Sequence, residues 1–513
     1  MHILDLPNEL IQSILISSIH VRGVKRGLRL NLVCKRFHEN VVPALYVSRA
    51  LDRFSAPHVG GFWWMRDDRY GAGELWHDYL VYRVMGETDP DVGRYVEIRE
   101  AAEALWARTS SSSSSSSSSG SYSVGGGDGH NHRTLRDIVD GLCWLALERG
   151  TNSPGDRENW ANHPQGLRAG NHTNAAFNLL CAAAYYNEVS VAAILLEKGD
   201  STPVYEMNLF PQPVEIAAFR GHAEMLDLFQ NHIWAVEKAA GYHRMPDDLD
   251  EDWIMWSVSR WPGAIQGALL ADDLPMLQRA IFPPTLSDYP PPMLSKRFVF
   301  QDTAGPVWMC ATDLSMLQWF AQSPAMWDYM TQLGAEPNRD LDRTKNWYAQ
   351  HGNLAMLRHY CVRFAELGGL PREGKTPWLD INYTMAQQRG SPLLYACQNG
   401  YEDVVDYLLE EEYGGVAGSS QPGGQGGVAA RAGSVRIMAK LLEYEFVSVS
   451  RGAKWLLREA VLGENRPMVE LLVRKGFLFT EEHRRSTIEK ASELGLDSMV
   501  DYLESWETTV STV

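Results

Sequence analysis

The stretch Ser391 to Leu409 reads SPLLYACQNGYEDVVDYLL. It holds a short run of small and apolar residues, a break at Asn399-Gly400, and a second run with Val404, Val405, Leu408 and Leu409 at helical spacing. Apolar residues at i, i+1, i+4 and i+5 cover one face of a helix, and glycine supplies the turn between two helices. The unit is a helix–turn–helix whose apolar face has nothing of its own to cover it.

The same pattern recurs on both sides. Copies are AAAYYNEVSVAAILLEKG (182–199), VEIAAFRGHAEMLDLF (214–229), YAQHGNLAMLRHY (348–360), VAARAGSVRIMAKLL (428–442), REAVLGENRPMVELLVRKG (458–476) and EKASELGLDSMVDYL (489–503). ALLADDLPMLQRA (268–280) and CATDLSMLQWF (310–320) are degenerate copies. Taking the turn residue as anchor places the turns at Asn187, Gly221, Asp272, Thr312, Gly352, Gly400, Gly433, Glu464 and Gly495. Successive separations are 34, 51, 40, 40, 48, 33, 31 and 31, so a period near 33 recurs, with insertions in the longer gaps. Repeats at such periods decide a fold before any local assignment. Stacked copies bury the face that one copy leaves open. Gly199 and Gly476 follow second helices and are expected to end them in a left-handed conformation.

Ser391-Pro392-Leu393-Leu394-Tyr395-Ala396 resembles the Thr-Pro-Leu-His-x-Ala pattern of the ankyrin repeat, with Leu394 in place of His. The resemblance implies an all-α chain with an ankyrin-repeat solenoid of about nine copies, several degenerate, over 134–507. The glycine-rich run Gly414–Gly427 consumes most of one first helix, which predicts a hinge there and a stack split into two blocks.

Composition bounds the function. The chain has 513 residues, a net charge of −17 and 45% apolar residues, the values of a folded globular protein. No 18-residue apolar run suggests a membrane span, and the acidic start (Asp5, Glu9) does not resemble a secretory signal. The excess of acid argues against general nucleic-acid binding. Cys34, Cys143, Cys181, Cys310, Cys361 and Cys397 form no Cys-x-x-Cys pair and read as reduced thiols of a cytoplasmic or nuclear protein.

The first fifty residues differ from the rest, with seven Lys/Arg against three Asp/Glu. Leu10, Ile11, Ile14 and Leu15 form one apolar stripe, followed by a second cluster at Leu28, Leu30, Leu32, Val33, Cys34 and Phe37. Fifty residues cannot cover that much apolar surface alone. Leu6-Pro7-x-Glu9-Leu10, Ile14-Leu15 and Val33-Cys34-Lys35-Arg36-Phe37 resemble an F-box. The resemblance implies a three-helix unit over 1–50 that docks a Skp-type adaptor of a cullin–RING ubiquitin ligase, with Leu6, Pro7, Leu10, Ile14, Leu15, Leu32, Val33 and Phe37 on the family's apolar pattern. It does not divide interface from internal core. Val24-Lys25-Arg26-Gly27 departs from the family, which has an acidic residue and a leucine there, and Gly27 is expected to cost about 1 kcal/mol inside a helix. The other reading is a helical cap on the repeats, with the chain serving as an interaction scaffold.

Residues 51–108 are an aromatic-rich helical connector. The low-complexity run from Ser110 to Gly127, within 109–133, reads as a flexible tether between front and back parts. Gly369-Leu-Pro-Arg-Glu-Gly374-Lys375-Thr376 fits the phosphate-loop pattern G-x-x-x-x-G-K-[ST], which needs a strand before it. Leu354–Leu367 has helical periodicity instead, and Pro377 follows directly, so the segment reads as a repeat-opening loop. His130 and His132 lack partners at metal-ligand spacing. Asp247–Asp252 reads as a solvated acidic loop, with Trp253, Trp256 and Trp261 beyond it. Neither catalytic residues nor cofactors are expected; the expected partners are the adaptor and cullin subunits and a protein substrate.

Overall fold

A computed structural model describes residues 5–53, 72–88, 94–114, 133–148, 175–203, 209–239, 262–286, 317–333, 341–366, 392–412, 433–444 and 449–506, with 335, 429–430 and 446–447. Among them every regular element is helical and none is a strand. The chain divides into two compact units, Met1–Phe320 and Ala321–Val513.

The first unit begins with α1 (Asn8–Arg22), α2 (Val24–Arg29), a 3-10 turn (Leu30–Leu32) and α3 (Lys35–Ser48). Then come α4 (Ala72–Gly86), α5 (Arg94–Ser114), α6 (Leu135–Glu148), α7 (Ala175–Tyr186), α8 (Val189–Glu197), α9 (Pro213–Phe219), α10 (Ala223–Ala239), α11 (Pro262–Ala271) and α12 (Leu274–Ile281). The helices alternate between two rows. The first helices α7, α9 and α11 pack on one another, and the second helices α8, α10 and α12 do the same. The second unit repeats the alternation with α13 (Pro324–Gln332), α14 (Leu341–Gln350), α15 (Leu354–Glu366), α16 (Pro392–Asn399), α17 (Glu402–Tyr407), α18 (Val435–Glu443), α19 (Val449–Leu462), α20 (Arg466–Arg474), α21 (Glu481–Glu493) and α22 (Asp497–Glu504).

The turns explain why these segments fold as pairs. Asn187, Gly221, Asp272, Gly352, Gly400, Gly433, Glu464 and Gly495 all have positive φ, between 52° and 82°. In seven of these turns the next residue's N–H reaches back to the carbonyl four residues before the anchor. Examples are His222 to Ala217 (2.9 Å), Asn465 to Ala460 (2.9 Å) and Leu496 to Ala491 (2.8 Å). That bond closes the first helix in the left-handed C-terminal motif. The same next residue then caps the second helix: Asp273, Asn353, Ser434 and Asn465 each accept the N–H three residues on. One dipeptide ends one helix and starts the next. Gly199 and Gly476 have φ of 69° and 87°, as expected.

Thr312, the expected fourth turn, lies outside the described residues; among the described ones a turn falls at Gln322-Ser323. Ser323 caps α13 through the Met326 N–H at 3.4 Å. Asn353 donates to the Gln322 carbonyl at 3.1 Å across 31 residues, the bond that Asn465 makes to the Gly433 carbonyl at 2.9 Å across 32. The sequence carries this turn in Ser323-Pro324, a capping residue followed by proline at the first helical position.

Two expectations about linkers are corrected. The serine run starts as helix, since α5 continues to Ser114. Helix α5 packs directly on α6 and α7, so the segments flanking the low-complexity tract share one unit instead of being held apart by it. The division between units falls at Phe320/Ala321 and not at Gly414–Gly427. Across that glycine-rich run, α17 and α18 remain in contact. Lys440 pairs with Asp406, and Arg436 with Glu402 at 3.1 Å. Residues 413–428 lie outside the described structure.

Candidate protein-interaction surface

Pro7 has no N–H to leave unsatisfied and stands immediately before α1, accepting the Leu10 and Ile11 N–H groups on its carbonyl at 3.1 Å. Gly23, at φ 82°, ends the helix. Helix α1 packs on α2 and α3 around Ile11, Leu15, Ile19, Phe37, Val41, Ala44 and Leu45, all buried. Gly27 is what allows α2 to approach. A Cβ there would stand 2.6 Å from Ile19 Cγ1, so the residue expected to weaken the helix is required by the packing.

The structure sorts the eight candidate residues. Leu15 is 1% exposed and Phe37 8%, and both belong to the core. Leu6 is half-buried against it. Pro7, Leu10, Ile14, Leu32 and Val33 are exposed, Leu32 to 87%. The single stripe read on α1 is two. Ile11, Leu15 and Ile19 face inward, while Leu10 and Ile14 face solvent together with Val21, which sequence reasoning missed. The spacing gave no signal of this, since Val404, Val405, Leu408 and Leu409 share it and are all buried. Arg36 ties the two ends of the surface together, bonding Asn8 Oδ1 (2.8 Å) and the Leu6 carbonyl (2.8 Å). Pro7 and Leu10 therefore lie at the same end of the three-helix unit as Leu32 and Val33. His20, Arg22, Arg29 and Lys35 of the same three-helix unit are also exposed.

The connector joins this unit. Trp76 and Tyr79 of α4 complete the N-terminal core. The Tyr46 ring lies 5.6 Å from Tyr79, and burial pushes its hydroxyl up to about 12. Trp106 stays 42% exposed.

The His351 ring lies against Trp347, centroids 4.2 Å apart, and desolvation holds it down at about 4, so it is a neutral packing group at physiological pH. Cys143, Cys181 and Cys397 are buried thiols, and burial raises Cys397 to about 12. Among the described residues no group of three His, Cys, Asp or Glu is placed to hold a metal, and no helix is long and apolar enough to cross a membrane. Leu354–Glu366 is helical, as read before the phosphate-loop pattern. That pattern (369–376), His130, His132, Asp247–Asp252, Trp253, Trp256 and Trp261 lie outside the described residues.

A second feature escaped the sequence reading. Six residues after one turn, a side chain meets the residue seven after the next: Asp227 with Arg279, Asp328 with His359 (3.0 Å), Arg358 over the Tyr407 ring (5.1 Å) and Asp406 with Lys440. These pairs join neighbouring second helices.

No curated protein matches the chain. Residues 390–417 match the ankyrin repeat family, so the chain carries an ankyrin repeat there, and this module points to a protein partner.

Proposed function

We propose that the chain is a non-enzymatic substrate-recognition adaptor. Its N-terminal three helices (1–50) would dock a Skp-type subunit of a cullin–RING ubiquitin ligase, and an ankyrin solenoid over 134–507 would hold a protein substrate. The supporting observation is the exposure of Pro7, Leu10, Ile14, Leu32 and Val33 at positions that the F-box resemblance assigns to its apolar pattern. A helix bundle that only capped the repeats would turn its apolar face inward and keep a polar outer face. This one has apolar residues on both. The mechanism is proximity: holding a lysine-bearing substrate near a charged conjugating enzyme raises its effective concentration.

A second reading has its own support. Trp76 and Tyr79 join the N-terminal helices to the connector, and α5 packs on α7. That continuity suits a scaffold whose N-terminal helices stabilise the stack. Co-expression with the host's Skp-type adaptor, followed by calorimetry, separates the two. Tight binding that the pair Leu10→Glu/Leu32→Glu abolishes, with unfolding temperature unchanged, supports the ligase adaptor. Absence of binding by the folded chain leaves the scaffold.

A further inference from the structure

We propose that α4 and α5 form a splint that fixes the direction of the N-terminal apolar face relative to the first repeat helices, and that the serine–glycine tract is bypassed by it. Four contacts carry the proposal. Helix α4 is tied to the three-helix unit through the Trp76–Tyr79 cluster and the Tyr46 hydroxyl, which donates to the Leu75 carbonyl at 3.4 Å. At its far end Glu87, 6% exposed, accepts Arg83 at 3.0 Å, lies 3.7 Å from Arg49 at the end of α3, and offers its carbonyl to Arg99 of α5. Removing one member of such a buried pair is costly, because the other charge stays buried. Helix α4 is also tied to α6. The His77 ring stacks on Trp144 with centroids 4.1 Å apart, and His77 Nε2 lies 3.0 Å from the Asp140 carbonyl. Helix α5 packs on α7, as α9 does. A packed path therefore runs from α1 to α7 without residues 115–132.

A splint and a tether differ measurably. Eighteen residues of Gly/Ser chain span about 23 Å root-mean-square when free, and doubling the tract raises this to about 33 Å. A splinted unit keeps its distance whatever the tract length. Nitroxides on p-acetylphenylalanine at exposed His38 and Ser190, in the full chain, report the separation by double electron–electron resonance without touching the native cysteines. The expected result is one narrow distance, unchanged when a second 18-residue Gly/Ser stretch is inserted after Gly120 and broadened in Glu87→Ala/Trp144→Ala. A broad distribution in the parent chain, or a mean that grows with the insertion, would overturn the proposal. If the double variant does not fold, the insertion alone decides. The proposal draws its significance from the docking role of the N-terminal face. The distance is measured without any adaptor, so the docking reading and the splint can fail separately.

Discussion

Gly267→Ala separates helix propensity from packing, because the two predict opposite signs. Propensity alone favours alanine inside α11 by about 1 kcal/mol. In the structure a Cβ at Gly267 would stand 2.3 Å from the Glu215 carbonyl oxygen, 3.0 Å from the Phe219 nitrogen and 3.2 Å from the Ala218 Cβ. Two of these are backbone atoms of α9 and cannot rotate away. An ordinary carbon–oxygen contact is about 3.3 Å, so α11 must withdraw by about 1 Å. A gap of that size forfeits up to half of each dispersion contact along the seam. The seam includes Ala217, Ala218, Ala268 and Leu269, all fully buried. Overpacking of this kind costs about 1–3 kcal/mol, and the upper end applies because the clash is with backbone. Subtracting the propensity gain leaves a net loss of about 2 kcal/mol. Urea unfolding of the full chain, followed by far-UV circular dichroism, would show it as an earlier first transition. Gly86→Ala is the control, since a Cβ there meets nothing within 4 Å, and it should leave the midpoint unchanged or raise it. A Gly267→Ala protein as stable as its parent would refute the claim that α9 and α11 meet backbone to backbone.

Asn465→Asp keeps the cap on the Met468 N–H but loses the donor to the Gly433 carbonyl, while Asn465→Ala loses both. Costs of about 1 and about 2 kcal/mol are expected in chemical denaturation, and equal costs would remove the bond between copies. Leu15→Ala should lower stability by about 2–5 kcal/mol while Leu32→Ala leaves it unchanged, because the first is 1% exposed and the second 87%; similar thermal unfolding of both would contradict the sorting. The folded-state pKa of His351, held at about 4, lies below its unfolded value of about 6.5, so its contribution is present above pH 6.5 and is lost as pH falls towards 4. His351→Gln should therefore flatten the acid limb of stability by about 3 kcal/mol relative to the parent, and parallel limbs would refute it. Alkylation mapped by mass spectrometry should label Cys34 and Cys361 before Cys143, Cys181 and Cys397, which are buried.

What was legible in the sequence is what the backbone demands locally. A left-handed turn favours Gly, Asn or Asp, so aligning the copies located eight turns, even the one that Glu464 occupies. The paired helices followed from 3.6-residue periodicity. What was illegible depends on partners distant in sequence. Composition makes Ser110–Gly127 a tether, yet whether it separates two bodies depends on α5 meeting α6 and α7, which no local pattern records. Gly27 looked unfavourable because its helix was read without Ile19 beside it. The eight N-terminal candidates were found by pattern, but dividing them into core and surface required the direction of α3, since Leu10 and Ile11 are equally apolar and differ only in which side α3 covers.

The contacts between copies vary in chemistry while keeping one position. At one station, six residues after a turn facing seven after the next, the structure uses carboxylate with guanidinium (Asp227–Arg279), carboxylate with imidazole (Asp328–His359), guanidinium with phenol (Arg358–Tyr407) and carboxylate with ammonium (Asp406–Lys440). Each joins neighbouring second helices, and none requires a particular amino acid. The turns are equally permissive, accepting Gly, Asn, Asp or Glu at positive φ. Cohesion between these copies thus rests on geometry and complementarity instead of on one residue type. Only 390–417 retains the Ser-Pro-Leu-Leu-Tyr-Ala opening together with the second helix, and that is where the ankyrin repeat is matched. Among the described residues, closed turns recur at seven anchors, while side-chain caps and cross-copy pairs appear at some of the copies.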